Sequence, residues 1–226
     1  MDVEERVVKL PQKSAWASAS VEQRIMQNRV QGTCALVVLA FLLCISNAQT
    51  SSAAITTTKT SRKTYTDYLK TACNSTTYPQ LCFKSLYSYS STIKTNDLKL
   101  CNAALTVSLE AARNTSKLVK SLSKRRGLSK IEAAVIEDCV EQITDSIDEI
   151  KQSLKVLGSL SGSDKQIQID NIKTWVSAAI TDQNTCTDGF DGRKISHAVK
   201  STISKSIVNV GRLTSNALAL INKLSY

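Results

Sequence analysis

The sequence has few of the residues that build tight turns. Its 226 residues include two prolines and seven glycines, and aromatic residues make up only 5% of the chain. Turn-rich β folds need the backbone angles that Gly and Pro supply, so this composition favours long, uninterrupted helices.

The sequence also lacks the usual patterns of catalysis and cofactor binding. A nucleophilic hydrolase commonly pairs its nucleophile with a histidine base, but the single histidine, His197, stands beside Ser196 with no partner implied by its spacing. There is no cysteine–histidine spacing typical of zinc, no glycine-rich phosphate loop and no Asp-rich calcium loop. We therefore expect a protein that is not an enzyme and binds no cofactor or metal.

The net charge of +10 is spread along the whole chain. The block Lys124-Arg125-Arg126 is short and has no interleaved aromatic residues, which argues against nucleic-acid binding. The simplest interpretation is a solvated basic surface. In a secreted protein, such a surface would also attract an acidic polysaccharide weakly.

The N-terminal region carries the features of a signal peptide. Residues 34–45 form an apolar run that is too short for a membrane span of about 20 residues, and Ser46 and Ala48 suit cleavage after Ala48. Because the leader before this run is long, Met26 is a second candidate for the working start; a retained signal anchor is the alternative to cleavage. We expect residues 1–48 to be removed and the mature protein to be secreted, without a membrane attachment.

The rest of the chain divides into a linker and one folded domain. Residues 49–64 are rich in Thr, Ser and Ala without apolar periodicity, which predicts a flexible linker, and residues 65–226 form the predicted domain. Short amphipathic segments at 67–73 and 78–87 precede four long patterns with apolar residues every three or four positions, at 97–123, 129–157, 166–188 and 193–224. These patterns predict an all-α fold, namely an up-down-up-down four-helix bundle with an N-terminal helical hairpin.

Seven cysteines are present, and two of them, Cys34 and Cys44, fall at the ends of the apolar run. Five therefore remain in the expected mature chain, which allows at most two disulfides and leaves one free thiol. A bridge between Cys73 and Cys82 would close the helical hairpin, and one between Cys139 and Cys186 would tie the second long helix to the third. Cys101 would then be a buried free thiol.

An acidic row stands out on the second long helix. Asp138, Glu141, Asp145 and Asp148 recur at three- and four-residue spacing, on the side opposite the apolar stripe. Such a row is often only the solvated face of a helix, but it also offers rigidly placed carboxylates to a partner's donors. Asn74 and Asn114 begin glycosylation sequons, which in a secreted chain predicts a glycoprotein.

Several of these features together resemble the plant invertase and pectin methylesterase inhibitor family: the signal peptide, the Cys73 and Cys82 pair, the Glu137-Asp138-Cys139 segment and the stretch WVSAAITDQNTCTDGF around Cys186. The resemblance covers about residues 65–226. It implies the disulfides Cys73–Cys82 and Cys139–Cys186 and an inhibitor acting in the plant apoplast or cell wall, where the acidic polysaccharide that the basic surface would attract weakly is pectin.

Within that family, invertase inhibitors tend to carry Pro-Lys-Phe in the third helix, whereas residues 172–175 here read Ile-Lys-Thr-Trp. The sequence is more like the pectin methylesterase inhibitors, and like the pro-regions of larger pectin methylesterases. No esterase domain follows Tyr226, so we expect a free inhibitor. Inhibition of an acid invertase is the alternative within the family, and a secreted bundle that binds a small apolar ligand is the alternative outside it.

The resemblance also implies how the inhibitor acts. It would form a noncovalent one-to-one complex that covers the pectin-binding cleft of the methylesterase. The family's interface positions match Glu141, Asp145 and Asp148 on the second long helix and Thr185 and Asp188 beside Cys186, with Asp138 at the rim. Some members have an acid immediately after the last cysteine where this chain has Thr187.

Overall fold

The structure is a computed structural model that describes residues 60–224. Helix α1 covers residues 60–73, α2 is Pro79–Leu86, and a 3-10 turn at Tyr87–Tyr89 leads into the short α3, Ser90–Ile93. The long helices are α4, Asp97–Ser123; α5, Lys130–Gly158; α6, Lys165–Asp188; and α7, His197–Ile221. The predicted signal peptide, its cleavage after Ala48 and the Met26 start lie outside the described residues.

The four long helices form the predicted up-down-up-down bundle. Helix α5 packs against α4 and α6, and α7 packs against the same two, so each long helix has two neighbours around a shared core. The apolar stripes read from the sequence face inward; Leu105, Ile143, Ile172 and Ile203, one from each helix, are fully buried. The described residues are helical with no strand, which confirms the predicted fold class.

Polar side-chain caps mark the start of three of the four long helices, α4, α5 and α7. The side chain of Asn96 accepts a hydrogen bond from the Lys99 amide at 2.8 Å, and Ser129 and Glu132 form the predicted capping box. The expectation that the last helix begins at residue 193 is wrong. Gly192 adopts a left-handed φ of 67°, and the helix starts at His197, with Ser196 as its cap.

The N-terminal hairpin is joined to the bundle by a disulfide and by side-chain contacts. The Cys73–Cys82 bridge links α1 to α2, and Asn216 of α7 both accepts from the Tyr78 amide at 2.8 Å and donates to the Tyr78 carbonyl at 3.0 Å. Helix α1 already includes residues 60–64, which the sequence had assigned to the linker. The Thr64 hydroxyl donates to the Thr60 carbonyl, so this polar turn is compatible with helix although it lacks apolar periodicity.

A hydrogen-bonded polar layer crosses the centre of the bundle, with one fully buried side chain from each long helix: Ser108, Ser146, Gln183 and Thr214. The Gln183 amide donates to Ser146 at 2.7 Å and to Thr214 at 3.2 Å. Because the Thr214 hydroxyl donates to its own helix at the Val210 carbonyl, Ser108 is the donor in the 2.6 Å contact between the two hydroxyls. Each of the four helices therefore takes part in one network.

The one free thiol among the described residues, Cys101, is buried in α4. Burial, with a smaller effect from the charge of Asp97, raises the pKa of this thiol to about 12. Both disulfides implied by the resemblance are present, so the cysteines adopt the expected arrangement.

We expect Thr214→Val to lower the free energy of unfolding by about 1–3 kcal/mol, because Ser108 and Gln183 both lose a buried partner. Urea denaturation with the disulfides intact measures the change. Thr202→Val is the matched control, since Thr202 lies exposed on the same helix. Equal changes in the two variants would show that the polar layer does not contribute to stability.

Candidate functional site

The acidic row of α5 lies on the surface of the bundle. Asp138, Glu141, Asp145 and Asp148 are all exposed, whereas Cys139 and Ile143, between them in sequence, are buried in the core. The positions follow directly from helical periodicity, because residues three and four apart share a face. The row is therefore held on a rigid element that is anchored by its opposite side.

The carboxylates of this row form few ion pairs with other described residues of the protein. Asp148 accepts a hydrogen bond from Lys151 at 2.7 Å, and both side chains remain about half exposed or more, at 67% and 46%. An exposed pair of this kind contributes less than about 1 kcal/mol to stability. Among the described residues, Glu141 and Asp145 form no ion pair, so these carboxylates are available to an external donor.

The remaining two interface candidates lie near the end of α6. Thr185 and Asp188 are exposed on either side of Cys186. The Thr185 hydroxyl donates to the Thr181 carbonyl at 2.9 Å, which leaves its oxygen free to accept. Thr187, where an acid is typical in some family members, is half-buried and donates to the Asn184 carbonyl at 2.7 Å.

The Cys139–Cys186 disulfide brings the two helices together at this surface. It joins α5 to α6 with a Cα–Cα distance of 4.5 Å, and both cysteines are buried. Since Thr185 directly precedes Cys186 and Asp138 directly precedes Cys139, the bridge holds the α6 candidates beside the start of the acidic row.

A pair of carboxyl groups lies in the seam between α5 and α6. Glu149 and Asp182 are half-buried and face each other, and one oxygen of each, Oε2 and Oδ2, is buried without a hydrogen-bond partner among the described residues. Burial, the charge of Asp182 and the nearby Asp145 raise the pKa of Glu149 to about 7. Burial and the charge of Asp145 also raise the pKa of Asp182. The pair therefore retains a proton in mildly acidic solution.

Sequence reasoning missed this pair and the polar layer beside it. Glu149 directly follows Asp148 and resembled another solvated acid, because its partner is on a different helix. The sequence does contain an indication of the polar layer, at Ser146. Ser146 lies between Ile143 and Ile150 on the apolar stripe, where a polar residue must find a buried partner.

The sequon asparagines and the single histidine, which the sequence also drew attention to, lie on the surface. Asn74 and Asn114, which begin the two glycosylation sequons, are both exposed, as is His197. Within residues 60–224, no cluster of His, Cys, Asp or Glu side chains is placed to hold a metal ion. No helix in that part of the chain has both the length and the apolar character to cross a bilayer.

The Glu149–Asp182 pair predicts the sign of the pH dependence of stability. The folded pKa of Glu149, about 7, lies above its ordinary value of about 4.5, so its stabilising contribution is complete below pH 4.5 and is lost as the pH rises through 7. We expect the free energy of unfolding to fall between pH 5 and pH 7.5, and Glu149→Gln to flatten this slope. Chemical denaturation across that range is the measurement. Glu141→Gln, an exposed change on the same helix, should keep the wild-type slope; an unchanged slope in Glu149→Gln would contradict the assignment.

The sequence matches a known protein family and several named plant proteins. A sequence model described as plant invertase/pectin methylesterase inhibitor matches residues 67–220. Pectinesterase inhibitor 10 of Arabidopsis thaliana is 43% identical over 72% of this chain and 52% of its own length, so the chain spans about half of that longer relative. Pectinesterase inhibitor 11 of the same plant is 39% identical over 80% of this chain and 92% of its own. The 21 kDa protein of Daucus carota is 40% identical over 70% and 83% respectively.

A comparison of folds identifies a similar helical bundle. A crystal structure of a mutant form of a pectin methylesterase inhibitor from Arabidopsis superposes with a TM-score of 0.56 at 22% identity, covering 70% of this chain and 97% of the other. At that identity, the superposition establishes the bundle architecture only. With a family match over most of the described residues and relatives near 40% identity, the chain belongs to the plant invertase/pectin methylesterase inhibitor family.

Proposed function

We propose that the protein is an inhibitor of pectin methylesterase and not itself an enzyme. It would bind the methylesterase in a noncovalent one-to-one complex and cover the cleft in which the enzyme holds pectin. The observation that carries this proposal is the exposed acidic row on α5, braced by a disulfide against α6, in a family member whose relatives are named pectinesterase inhibitors.

The contacts would come from Glu141, Asp145 and Asp148 on α5 and from Thr185 and Asp188 on α6. All five are exposed, and each presents an oxygen that can accept hydrogen bonds from the enzyme. Hydrogen bonds to ionised carboxylates are shorter and stronger than those between neutral groups. Because two packed helices carry these groups, little backbone conformational freedom is lost on binding.

The proposed setting is the plant apoplast or cell wall. The apolar run at residues 34–45 and the small residues that follow it support export and cleavage after Ala48, with a linker before the bundle domain. The exposed Asn74 and Asn114 would carry glycans there. The excess of basic over acidic residues, which persists after removal of residues 1–48, supports a weak contact with acidic pectin.

Inhibition of an acid invertase is the competing function, because the family description names both enzymes. Mixing the purified protein with a pectin methylesterase and, separately, with an acid invertase distinguishes them. We expect the methylesterase to lose activity at an equimolar ratio and the invertase to keep it. The reverse result would replace the proposal with invertase inhibition. No observation on the described residues favours binding of a small ligand.

We expect Asp148→Ala to raise the inhibition constant against pectin methylesterase roughly 10- to 100-fold, because a charge-assisted contact to the enzyme is lost. Asp170→Ala is a closely matched control. Asp170 is an exposed acid on α6 that pairs with Lys173 at 3.0 Å, as Asp148 pairs with Lys151.

Inhibition curves measure the inhibition constant of each variant, and circular dichroism measures its helical content. Asp148→Ala should lose affinity with an unchanged helical spectrum, whereas Asp170→Ala should retain both. Wild-type inhibition by Asp148→Ala at matched concentration would remove Asp148 from the interface.

A further inference from the structure

Two loops at one end of the bundle bring together cations that are distant in sequence. The α4–α5 loop and the first residue of α5 contribute Lys124, Arg125, Arg126 and Lys130, and the α6–α7 loop contributes Arg193 and Lys194. All six are exposed. We call this set the cationic end.

The side chain of Glu132 fixes the two loops beside each other. Its Oε2 accepts from the Ser129 amide at 3.0 Å, within the capping box, and its Oε1 accepts from the Ser196 amide at 2.8 Å, across the bundle. These backbone hydrogen bonds lower the pKa of Glu132, so it remains ionised and keeps both loops in place. Glu132 itself is only 9% exposed, so its negative charge faces the interior and not the solvent.

The positive charge of this end is not neutralised locally. None of the six cations forms an ion pair within the described residues, whereas Asp191, in the same loop as Arg193, is already held by Lys200 at 2.9 Å. Asp188 is the remaining acid at the end of α6. Helix dipoles leave the net charge of this end nearly unchanged. Helices α5 and α7 begin here with positive dipole ends, and α4 and α6 end here with negative ones.

The surface lacks the means to read nucleic-acid bases. Proteins that bind single strands combine a basic surface with exposed aromatic side chains on which the bases stack. The aromatic residue of these two loops is Phe190, and it is 1% exposed. These two loops therefore offer no exposed ring on which a base could stack, and their attraction for a polyanion is electrostatic alone.

We propose that the cationic end binds the polyuronate chain of de-esterified pectin, a polymer with one carboxylate on each sugar unit. Each loop carries consecutive exposed cations that can attract a row of carboxylates, and such an attraction is electrostatic and weakens with salt. The inference rests on the proposed extracellular setting and not on enzyme inhibition. It assigns the weak pectin contact to a surface apart from the acidic row on α5.

The test measures binding of the purified protein to polygalacturonic acid by isothermal titration calorimetry at low and at physiological salt, with no enzyme present. We expect binding that weakens as salt rises, and a roughly tenfold loss in Lys124→Gln/Arg125→Gln/Arg126→Gln. Arg62→Gln/Arg113→Gln/Lys155→Gln is the matched control, since it removes the same charges from exposed positions outside the cationic end. Circular dichroism verifies that both variants fold.

The outcomes separate the proposal from its alternatives. A tenfold loss confined to the first variant supports the cationic end as the binding surface. Equal loss in both variants would show that only net charge matters, and absence of binding by the wild-type protein would also overturn the proposal. Tighter binding to single-stranded DNA of matched charge would assign the surface to nucleic acid instead. Because the methylesterase is absent, none of these results depends on whether the protein inhibits it.

Discussion

The bundle depends on a single buried amide at its centre. Gln183 reaches from α6 to Ser146 on α5 and to Thr214 on α7, and Thr214 continues the network to Ser108 on α4. Apolar side chains tolerate sliding of one helix past another, but a buried hydrogen-bonded group has a high cost if its partner moves away. The network therefore sets which residues of neighbouring helices stand side by side.

The seam between α5 and α6 is where this alignment has functional consequences. The Cys139–Cys186 disulfide closes the seam toward the start of α5, and the Glu149–Asp182 pair occupies it further along. The exposed acids lie along its outer side. The same two helices thus provide a covalent tie, a pair of carboxyl groups that responds to pH and the proposed contact surface. A change in the protonation of Glu149 or Asp182 therefore occurs on α5 and α6, the two helices that carry the proposed interface.

Features that depend on one helix alone were predictable from the sequence, whereas the polar side-chain contacts between helices were not; the disulfides between helices were implied by the family resemblance. The apolar stripe and the acidic row of α5 follow from the helical period, and the Ser129–Glu132 capping box follows from spacing. The contact of Glu132 with Ser196 and that of Glu149 with Asp182 need the identity and register of a neighbouring helix, which periodicity does not contain. The early start of α1 was missed for a related reason, since Thr hydroxyls bonded to the backbone leave no apolar pattern.

Burial of Cys101 protects the two disulfides, because Cys101 is the one unpaired cysteine among the described residues. Disulfide exchange begins with attack by a thiolate, so the two bridges and one free thiol within residues 60–224 could in principle exchange partners. In the folded chain, the thiol is 1% exposed and burial raises its pKa to about 12. The nucleophile is therefore both unreachable and almost entirely protonated at neutral pH. The helical core thus preserves its own covalent pattern, and the pairing of the four bridged cysteines lasts as long as α4 stays packed.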